Sequence, residues 1–194
     1  MPAKPYPFAR LDMRAIDMAC YRRLIWRRHR KTPLGVRPSP SRLSDPELAY
    51  SVLYAAQNLR CAFAEVVLRD RFVRSGHKRA LDRSEITERA VVTIDSDEPL
   101  RLANLQDDAM LRAGIPTDAL GARNHAAGRA LSRALYDHRL DPDGVLFQSR
   151  LTNDRVIAVF DRAIYKLDAT AVDPLNQHPE LPGTLLRYGV TIEP

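Results

Sequence analysis

The alternation of apolar and polar residues along this chain predicts a series of short strands and helices. Apolar runs bounded by polar or turn-forming residues indicate strands at 51–57, 90–95, 100–105, 144–149 and 155–160. In the first of these strands, alternation places Val52, Tyr54 and Ala56 on one face. The short connection between the last two favours a hairpin. Helical spacing predicts helices over 106–113 and 122–138.

The segment after the first strand predicts a helix that places a carboxylate between two apolar surfaces. Asn58 suits the N-cap position, and the helix is expected to run to about Arg74. The core stripe would be Leu59, Ala62, Phe63 and Val66, and a second patch would be Cys61, Leu68 and Phe72. Glu65 lies between them, where burying a carboxylate costs free energy unless it is paired or used. On spacing alone, the simplest interpretation is an ion pair with Arg69.

The remaining segments indicate how the chain is organised. Residues 1–11 predict an N-terminal arm without regular structure, and 12–194 a single domain. Residues 12–30 carry apolar anchors that suit a helix or strands. Residues 31–45 are rich in proline and predict a surface loop, whose Arg37 and Arg42 can close over an anionic ligand. The Pro-rich end of the chain, from Asp173, is expected to include a last strand at 188–192. Because helices and strands do not alternate regularly, the pattern indicates an α+β fold.

Composition narrows the class of protein. The 194 residues are 45% hydrophobic and 28% charged, which suits a folded domain and excludes a disordered chain. Long apolar runs and an export signal are not evident, so a soluble cytoplasmic protein without membrane contact is expected. Cys20 and Cys61 lack the spacing of a disulfide framework or a metal motif.

Charge is distributed unevenly along the chain. Residues 1–79 carry 17 Lys or Arg and 6 Asp or Glu, whereas 80–194 carry 13 and 18. The basic half can face an anion such as phosphate or nucleic acid. However, 26 of the 30 basic residues are arginine, which can equally reflect the nucleotide composition of the genome. The run from Arg22 to Lys31, with Trp26 inside it, is the best nucleic-acid feature, since arginines grip phosphates and an aromatic ring stacks on a base.

The strong catalytic motifs do not occur. The sequence has no phosphate-binding GxxxxGK[ST], no GxGxxG and no GxSxG. Its five histidines show no HExxH or i,i+4 pairing. A resident metal and a Ser-His-Asp triad are therefore not expected.

Several residues nevertheless occur in a distinctive order. The order is Tyr21-Arg22, then Arg42, then the strand Leu53-Tyr54-Ala55-Ala56, then a helix with Ala62-Phe63-Ala64-Glu65-Val66, and finally Gln148-Ser149-Arg150. This order resembles the RES domain family, bacterial toxins usually encoded beside an Xre-type antitoxin. The resemblance covers about 21–160, and SVLYAAQNLRCAFAEVV (51–67) is its most specific part. Family members commonly carry Gly-Gly-Arg and an aromatic where this chain has Pro40-Ser41-Arg42-Leu43.

The resemblance implies a fold similar to that of ADP-ribosyltransferases, with helices on a split, mixed or antiparallel sheet. It also implies degradation of NAD+ at the nicotinamide–ribose bond by hydrolysis or phosphorolysis. NAD+ is then the substrate, inorganic phosphate a potential second substrate, and no resident cofactor is needed. The expected partner is a cognate Xre-type antitoxin, through which alone the complex would meet nucleic acid. A homo-oligomer or a toxin–antitoxin hetero-oligomer would fit this implication.

The same resemblance implies a role for five residues. Glu65 would stabilise positive charge on the ribose or hold its hydroxyls. Arg22 and Arg42 suit the pyrophosphate or an attacking phosphate. Tyr54 can stack on nicotinamide, and Ser149 can hydrogen-bond the ribose or the carboxamide. Glu65, Arg22 and Ser149 are the expected catalytic residues.

Other interpretations stay open from the sequence. The chain can instead transfer ADP-ribose to a protein, act as a nucleic-acid-binding module through its basic half, or be a degenerate family member kept for protein binding. Tyr54 can be an ordinary core tyrosine, and Ser149 can merely end a strand. Arg23 competes with Arg22, since neighbours in a strand face opposite sides.

Overall fold

The computed structural model describes residues 6, 8, 10–69, 71, 79–122 and 124–194. Its strands are β1 (Met13–Ile16), β2 (Tyr21–Trp26), β3 (Val52–Ala56), β4 (Arg79–Asp82), β5 (Arg89–Ser96), β6 (Leu100–Asn104), β7 (Gly144–Gln148), β8 (Arg155–Phe160), β9 (Leu167–Pro174) and β10 (Val190–Glu193). Its α-helices are α1 (Leu59–Phe63), α2 (Ser84–Thr87), α3 (Ala109–Arg112), α4 (Asp118–Gly121), α5 (Ala126–Tyr136) and α6 (Leu181–Tyr188). Short 3-10 helices cover 27–29, 161–166 and 175–177. The α+β class is as predicted.

The fold is built on one large mixed sheet, in which two neighbouring strands are paired at a single position. In the described part of the chain, eight strands follow the order β1-β6-β7-β8-β3-β2-β5-β9, while β4 and β10 pair separately. β7 and β8 are antiparallel, with Gln148 opposite Arg155, which confirms the hairpin. Over the described residues, β2 pairs with β5 at six positions but with β3 only where Arg22 faces Ala56. The sheet therefore opens between β2 and β3, and we call this opening the seam.

The two faces of the sheet carry separate parts of the core. On β3, Leu53 and Ala55 pack into a core on one face. The other face of β3 carries Val52, Tyr54 and Ala56, as predicted, and α1 and α5 pack there. The seam is thus covered on that face by α1, which directly follows β3 in the chain.

The helix after β3 departs from the predicted regular pattern. Asn58 is its N-cap, as expected, and its side chain accepts a hydrogen bond from the backbone N–H of Cys61 at 2.8 Å. The α-helix ends at Phe63, and a π-helix continues over 64–68. A π-turn holds one extra residue, so the buried position moves from Val66, which is 44% exposed, to Val67, which is fully buried. Burial of Val66 is therefore a wrong prediction, and the predicted continuation through Phe72 to Arg74 falls largely outside the described residues.

Other predicted segments needed correction. Residues 12–30 contain two strands and a 3-10 turn. The loop 31–45 is not wholly on the surface, because residues 42–45 are buried. The predicted helix 122–138 is α5, preceded by the short α4. The sequence pattern does not predict β4, α2, β9 and α6. The last strand, β10, begins two residues later than predicted and ends one residue later.

The N-terminal arm is described only in part. Tyr6 donates a hydrogen bond to the carbonyl oxygen of Ala127 at 3.0 Å, and the ring of Phe8 lies edge-on to His138. These two positions therefore pack on the domain, whereas residues 1–5, 7 and 9 lie outside the described residues.

Candidate active site

A cleft of about 740 Å³ lies at the seam. Strands β2 and β3, the loop before β3, and the α1–π helix all contribute to its walls. Of the five residues to which the resemblance gives a role, Arg22, Arg42, Tyr54 and Glu65 line the cleft. Arg23, the alternative to Arg22, and Arg37 line it too. Its volume falls within the roughly 300–1,000 Å³ that small-molecule sites occupy. The opened sheet thus places four of the five predicted residues around one concave space.

Glu65 lies in the π-helix and faces the cleft with its side chain 24% exposed. The hydroxyl of Ser149 donates a hydrogen bond to its Oε1 at 2.6 Å. Arg69 forms an ion pair with the other carboxylate oxygen, with 3.7 Å between Arg69 Nη1 and Glu65 Oε2. The ion pair expected from i,i+4 spacing therefore exists, and the hydrogen bond from Ser149 orients the carboxylate together with it. The π-turn brings Glu65, Val66 and Arg69 together on the cleft wall.

Ser149 supports the carboxylate from the loop after β7. It is 1% exposed, and its Oγ also accepts hydrogen bonds from the backbone N–H groups of Leu151 and Thr152, at 3.1 and 3.3 Å. A hydroxyl has one proton to donate and two lone pairs to accept with, so this one is fully used. The loop is held by Asp154, whose carboxylate binds the guanidinium of Arg60 at 2.5 Å. Ser149 is therefore placed to fix the position of Glu65.

Positive charge collects around Glu65. Arg42 is 9% exposed, and its Nη1 donates to the carbonyl oxygen of Ala122 at 2.6 Å. Burial, followed by the nearby positive charges of Arg150 and Arg69, lowers the pKa of Arg42. Placing positive charges close together costs free energy unless an anion neutralises them. Glu65 shares the cleft wall with two guanidinium groups, those of Arg42 and Arg69, which leaves net positive charge in this part of the cleft.

The loop that carries Arg42 is fastened to β3 by Tyr54. The phenol oxygen of Tyr54 lies 3.0 Å from Ser41 Oγ and accepts the backbone N–H of Leu43 at 2.9 Å. Burial raises the pKa of this phenol, so it stays a neutral hydrogen-bonding group. On the opposite side, a Cβ on Gly128 would lie 2.7 Å from the carbonyl oxygen of Arg42. The Arg42 loop is therefore hydrogen-bonded to β3 through Tyr54 and lies directly against the backbone of α5 at Gly128.

Alternation along β2 separates the two arginines at its start. Arg22 lies directly opposite Ala56 and so shares the face on which α1 packs. Its Nη1 donates to the carbonyl oxygen of Cys20 at 2.8 Å, and its Nη2 lies 3.8 Å from Glu180 Oε1. Arg23 points to the other face, donates to the carbonyl oxygen of Gly35 at 3.1 Å, and has its pKa lowered by burial to about 10. Among the described residues, Arg22 Nε and Arg23 Nη1 are buried without a hydrogen-bond partner.

Sequence reasoning missed part of this arrangement. The sequence indicates Arg69 only as an ion-pair partner of Glu65, and Arg150 only as the residue after Ser149 in the motif. Arg129 was not singled out, although its Nε donates to the carbonyl oxygen of Ser41 at 3.2 Å. The sequence offers one signal for Arg129, which is its place directly after Gly128. That signal has meaning only once the fold shows how tightly Gly128 is packed.

Two negative findings apply to the described residues. No three His, Cys, Asp or Glu side chains within these ranges come together as a metal ion would require. None of the helices in the described part of the chain has the length and apolar character needed to cross a bilayer.

Fold and site together define an α+β protein with a carboxylate and a cluster of arginines at the seam of a mixed sheet. The RES domain family matches residues 19–182 of the chain. The chain therefore belongs to the RES domain family.

Two known proteins show what the chain is similar to. It is 40% identical over 108 residues to the "Probable toxin y4kH" of Sinorhizobium fredii (strain NBRC 101917 / NGR234), which covers 56% of this chain and 85% of that protein. Its fold is similar to a chain in the crystal structure of the M. tuberculosis MbcT–MbcA toxin–antitoxin complex, with a TM-score of 0.54 and 14% identity. That similarity covers 83% of this chain and 82% of the other. At this identity the likeness establishes the fold.

Proposed function

We propose that this protein is the toxin of a toxin–antitoxin system and acts in the cytoplasm by cleaving the nicotinamide–ribose bond of NAD+. Membership of the RES domain family and the similarity to a probable toxin support the first part. The observation that carries the second part is the Glu65 carboxylate, held by Ser149 at 2.6 Å on the wall of an arginine-rich cleft.

Glu65 supplies the charge that this cleavage needs. As the bond between ribose C1′ and the nicotinamide nitrogen breaks, positive charge develops on the ribose ring. A carboxylate fixed nearby stabilises that charge without reorganising during the reaction. The bonding pair goes to the nicotinamide nitrogen, so nicotinamide leaves as a neutral molecule. A strong general acid is therefore unnecessary.

The arginines bind the anionic parts of the reaction. Arg22, with an unpartnered buried Nε in the described structure, suits the pyrophosphate of NAD+. Arg42 and Arg69 line the cleft with Glu65, where an attacking inorganic phosphate would approach C1′, and Arg150 adds positive charge near Arg42. Their charge offsets the repulsion between phosphate and the carboxylate, so phosphorolysis is the favoured route. No resident cofactor takes part in this scheme.

Tyr54 and Ser149 act mainly as positioning residues in this proposal. The Tyr54 hydroxyl fastens the Arg42 loop, and the ring forms part of the cleft wall, where it can still contact nicotinamide. The Ser149 hydroxyl holds Glu65 and has no capacity left for the ribose. We infer that an Xre-type antitoxin neutralises the protein by covering the cleft, as the family resemblance implies.

The test is NAD+ turnover by the purified chain, with and without inorganic phosphate, followed by chromatography of the products. Release of nicotinamide that depends on phosphate, together with a phosphorylated ADP-ribose, is the expected result. The Glu65→Gln variant should lose turnover, whereas Glu47→Gln, at an exposed position, should keep it.

Other outcomes point elsewhere. Free ADP-ribose without phosphate dependence means hydrolysis, and a protein mass increased by one ADP-ribose unit means transfer to a protein. NAD+ left intact by folded protein free of antitoxin contradicts the proposal.

A further inference from the structure

A second concave surface, of about 660 Å³, adjoins the cleft at the end of β2. Trp26 borders both spaces, and the 3-10 helix at 27–29 continues from it. The surface is lined by Trp26, Arg27, Arg28, Arg30, Lys31, Thr87 and Glu88. Successive turns fix this segment, because Thr32 N–H donates to the His29 carbonyl and Gly35 N–H to the Thr32 carbonyl, at 3.0 and 2.9 Å. We call it the Trp26 surface.

Within the described part of the chain, four exposed cations of the Trp26 surface lack a carboxylate partner. Among the ion pairs between described residues, none involves Arg27, Arg28, Arg30 or Lys31. Arg28 Nε instead contacts His29 Nε2 at 3.3 Å. Many other arginines of this chain lie against a carboxylate, so the high arginine content alone does not explain this group. Glu88 is the one acidic residue among those lining the surface, and net charge there is strongly positive.

Trp26 is held in place with part of its ring open to solvent. The guanidinium of Arg89 lies 4.0 Å from the ring centroid and is itself held by Glu85 at 2.7 Å. The Arg89 side chain is only 7% exposed, so it supports the ring from the protein side. Trp26 is 37% exposed, and the guanidinium of Arg28 is 5.8 Å from the centroid of its ring. A fixed, partly exposed indole flanked by guanidinium groups is a stacking surface.

We propose that the Trp26 surface binds single-stranded nucleic acid, with phosphates on the four cations and a base stacked on Trp26. Cations that follow a backbone and an aromatic ring that stacks without sequence preference are the two parts of such sites. An acidic protein would use the cations but would leave the exposed indole without a planar partner. This inference is independent of NAD+ cleavage and gives the chain a nucleic-acid contact of its own, in addition to any made through an antitoxin.

Trp26 is the single tryptophan of the chain, so intrinsic fluorescence reports on this surface directly. Titration with an oligo(dT) strand should quench the fluorescence. If four phosphates are neutralised, the logarithm of the affinity should fall with a slope of about −2.8 against the logarithm of salt, or about 50-fold between 50 and 200 mM. The double variant Arg28→Ala/Arg30→Ala should halve the slope. A control double variant, Arg14→Ala/Arg139→Ala, removes the same charge elsewhere and should leave the slope unchanged.

A labelled strand tests the stacking separately. Trp26→Ala should weaken its binding by about 5- to 150-fold with the salt slope retained, since stacking accounts for about 1–3 kcal/mol per base. Absence of binding by folded protein overturns the proposal. Equal quenching by poly-glutamate also overturns it, in favour of an acidic protein partner. Quenching by NAD+ but not by oligo(dT) overturns it too, and would assign Trp26 to the substrate site.

Discussion

Replacing Ser149 by alanine removes the hydroxyl that holds Glu65 and tests how the candidate site is built. The lost contact is a 2.6 Å hydrogen bond to a carboxylate oxygen inside the protein. Two backbone N–H groups, of Leu151 and Thr152, lose their acceptor at the same time. We therefore expect both a loss of stability and a loss of catalytic rate, and the two can be measured separately.

The expected loss of catalytic rate follows from the charge on Glu65. A hydrogen bond to a charged group contributes about 1.5–3 kcal/mol. If that orientation is needed only in the transition state, the rate of nicotinamide release at saturating NAD+ should fall by about 10- to 150-fold. KM should change little, because the Ser149 hydroxyl has no lone pair or proton left for the substrate. Chromatographic rates at several NAD+ concentrations give both constants.

Asn104, which is not among the residues that line the cleft, provides a matched control. Asn104 is 6% exposed, its Nδ2 donates to the Asp12 carboxylate at 2.8 Å, and its Oδ1 accepts the N–H of Gln106. Asn104→Ala should lower the thermal unfolding temperature by a comparable amount and leave the rate unchanged. A Ser149→Ala rate within twofold of wild type would refute the positioning role. A raised KM with unchanged kcat would instead restore the sequence-based expectation of direct contact with substrate.

Two further predictions concern stability. Gly128→Ala should cost about 1–3 kcal/mol in thermal or denaturant unfolding, because its Cβ would lie 2.7 Å from the backbone oxygen of Arg42; Gly183→Ala, with open space around its Cβ, should be neutral or stabilising. Burial opposes the ionisation of Asp154, but hydrogen bonds led by that from Arg60 outweigh it and lower the pKa of this carboxyl. Its stabilising effect should thus be complete above the unfolded pKa of about 3.9 and disappear as the pH falls through the folded pKa. The unfolding temperature of Asp154→Asn should lie below wild type at pH 7, and the difference should narrow below about pH 4; a constant difference would contradict this account.

Local patterns predicted the elements whose burial follows a regular period. The face formed by Val52, Tyr54 and Ala56, the Asn58 N-cap and the hairpin from Gly144 to Phe160 each depend on nearby residues. The π-turn could not be predicted in this way. The apolar residues before it follow the ordinary α-helical spacing, so nothing in that spacing signals that the next turn holds one extra residue. It moves burial from Val66 to Val67 and sets the direction of the functional carboxylate.

The candidate site was predictable only in part for a similar reason. Family resemblance singled out Glu65 and Ser149, but the bond between them joins residues 84 positions apart and needs the fold. Burial of Arg42 was missed because proline-rich sequence favours a surface loop. Its burial depends on tertiary contacts from Tyr54 and Gly128, which no local pattern records.

The seam between β2 and β3 has a consequence for how the molecule responds to a ligand. Where strands part, the two halves of the sheet lose the ladder of backbone hydrogen bonds that would otherwise make them unfold together. Arg22 belongs to one half, and Tyr54 with the Glu65 helix belongs to the other. A molecule that contacts both sides replaces the missing ladder with its own contacts, so the occupied protein should unfold as a single unit and resist proteolysis better than the empty one. Bound substrate or a covering partner therefore stabilises the protein reversibly, by joining the two halves of its sheet.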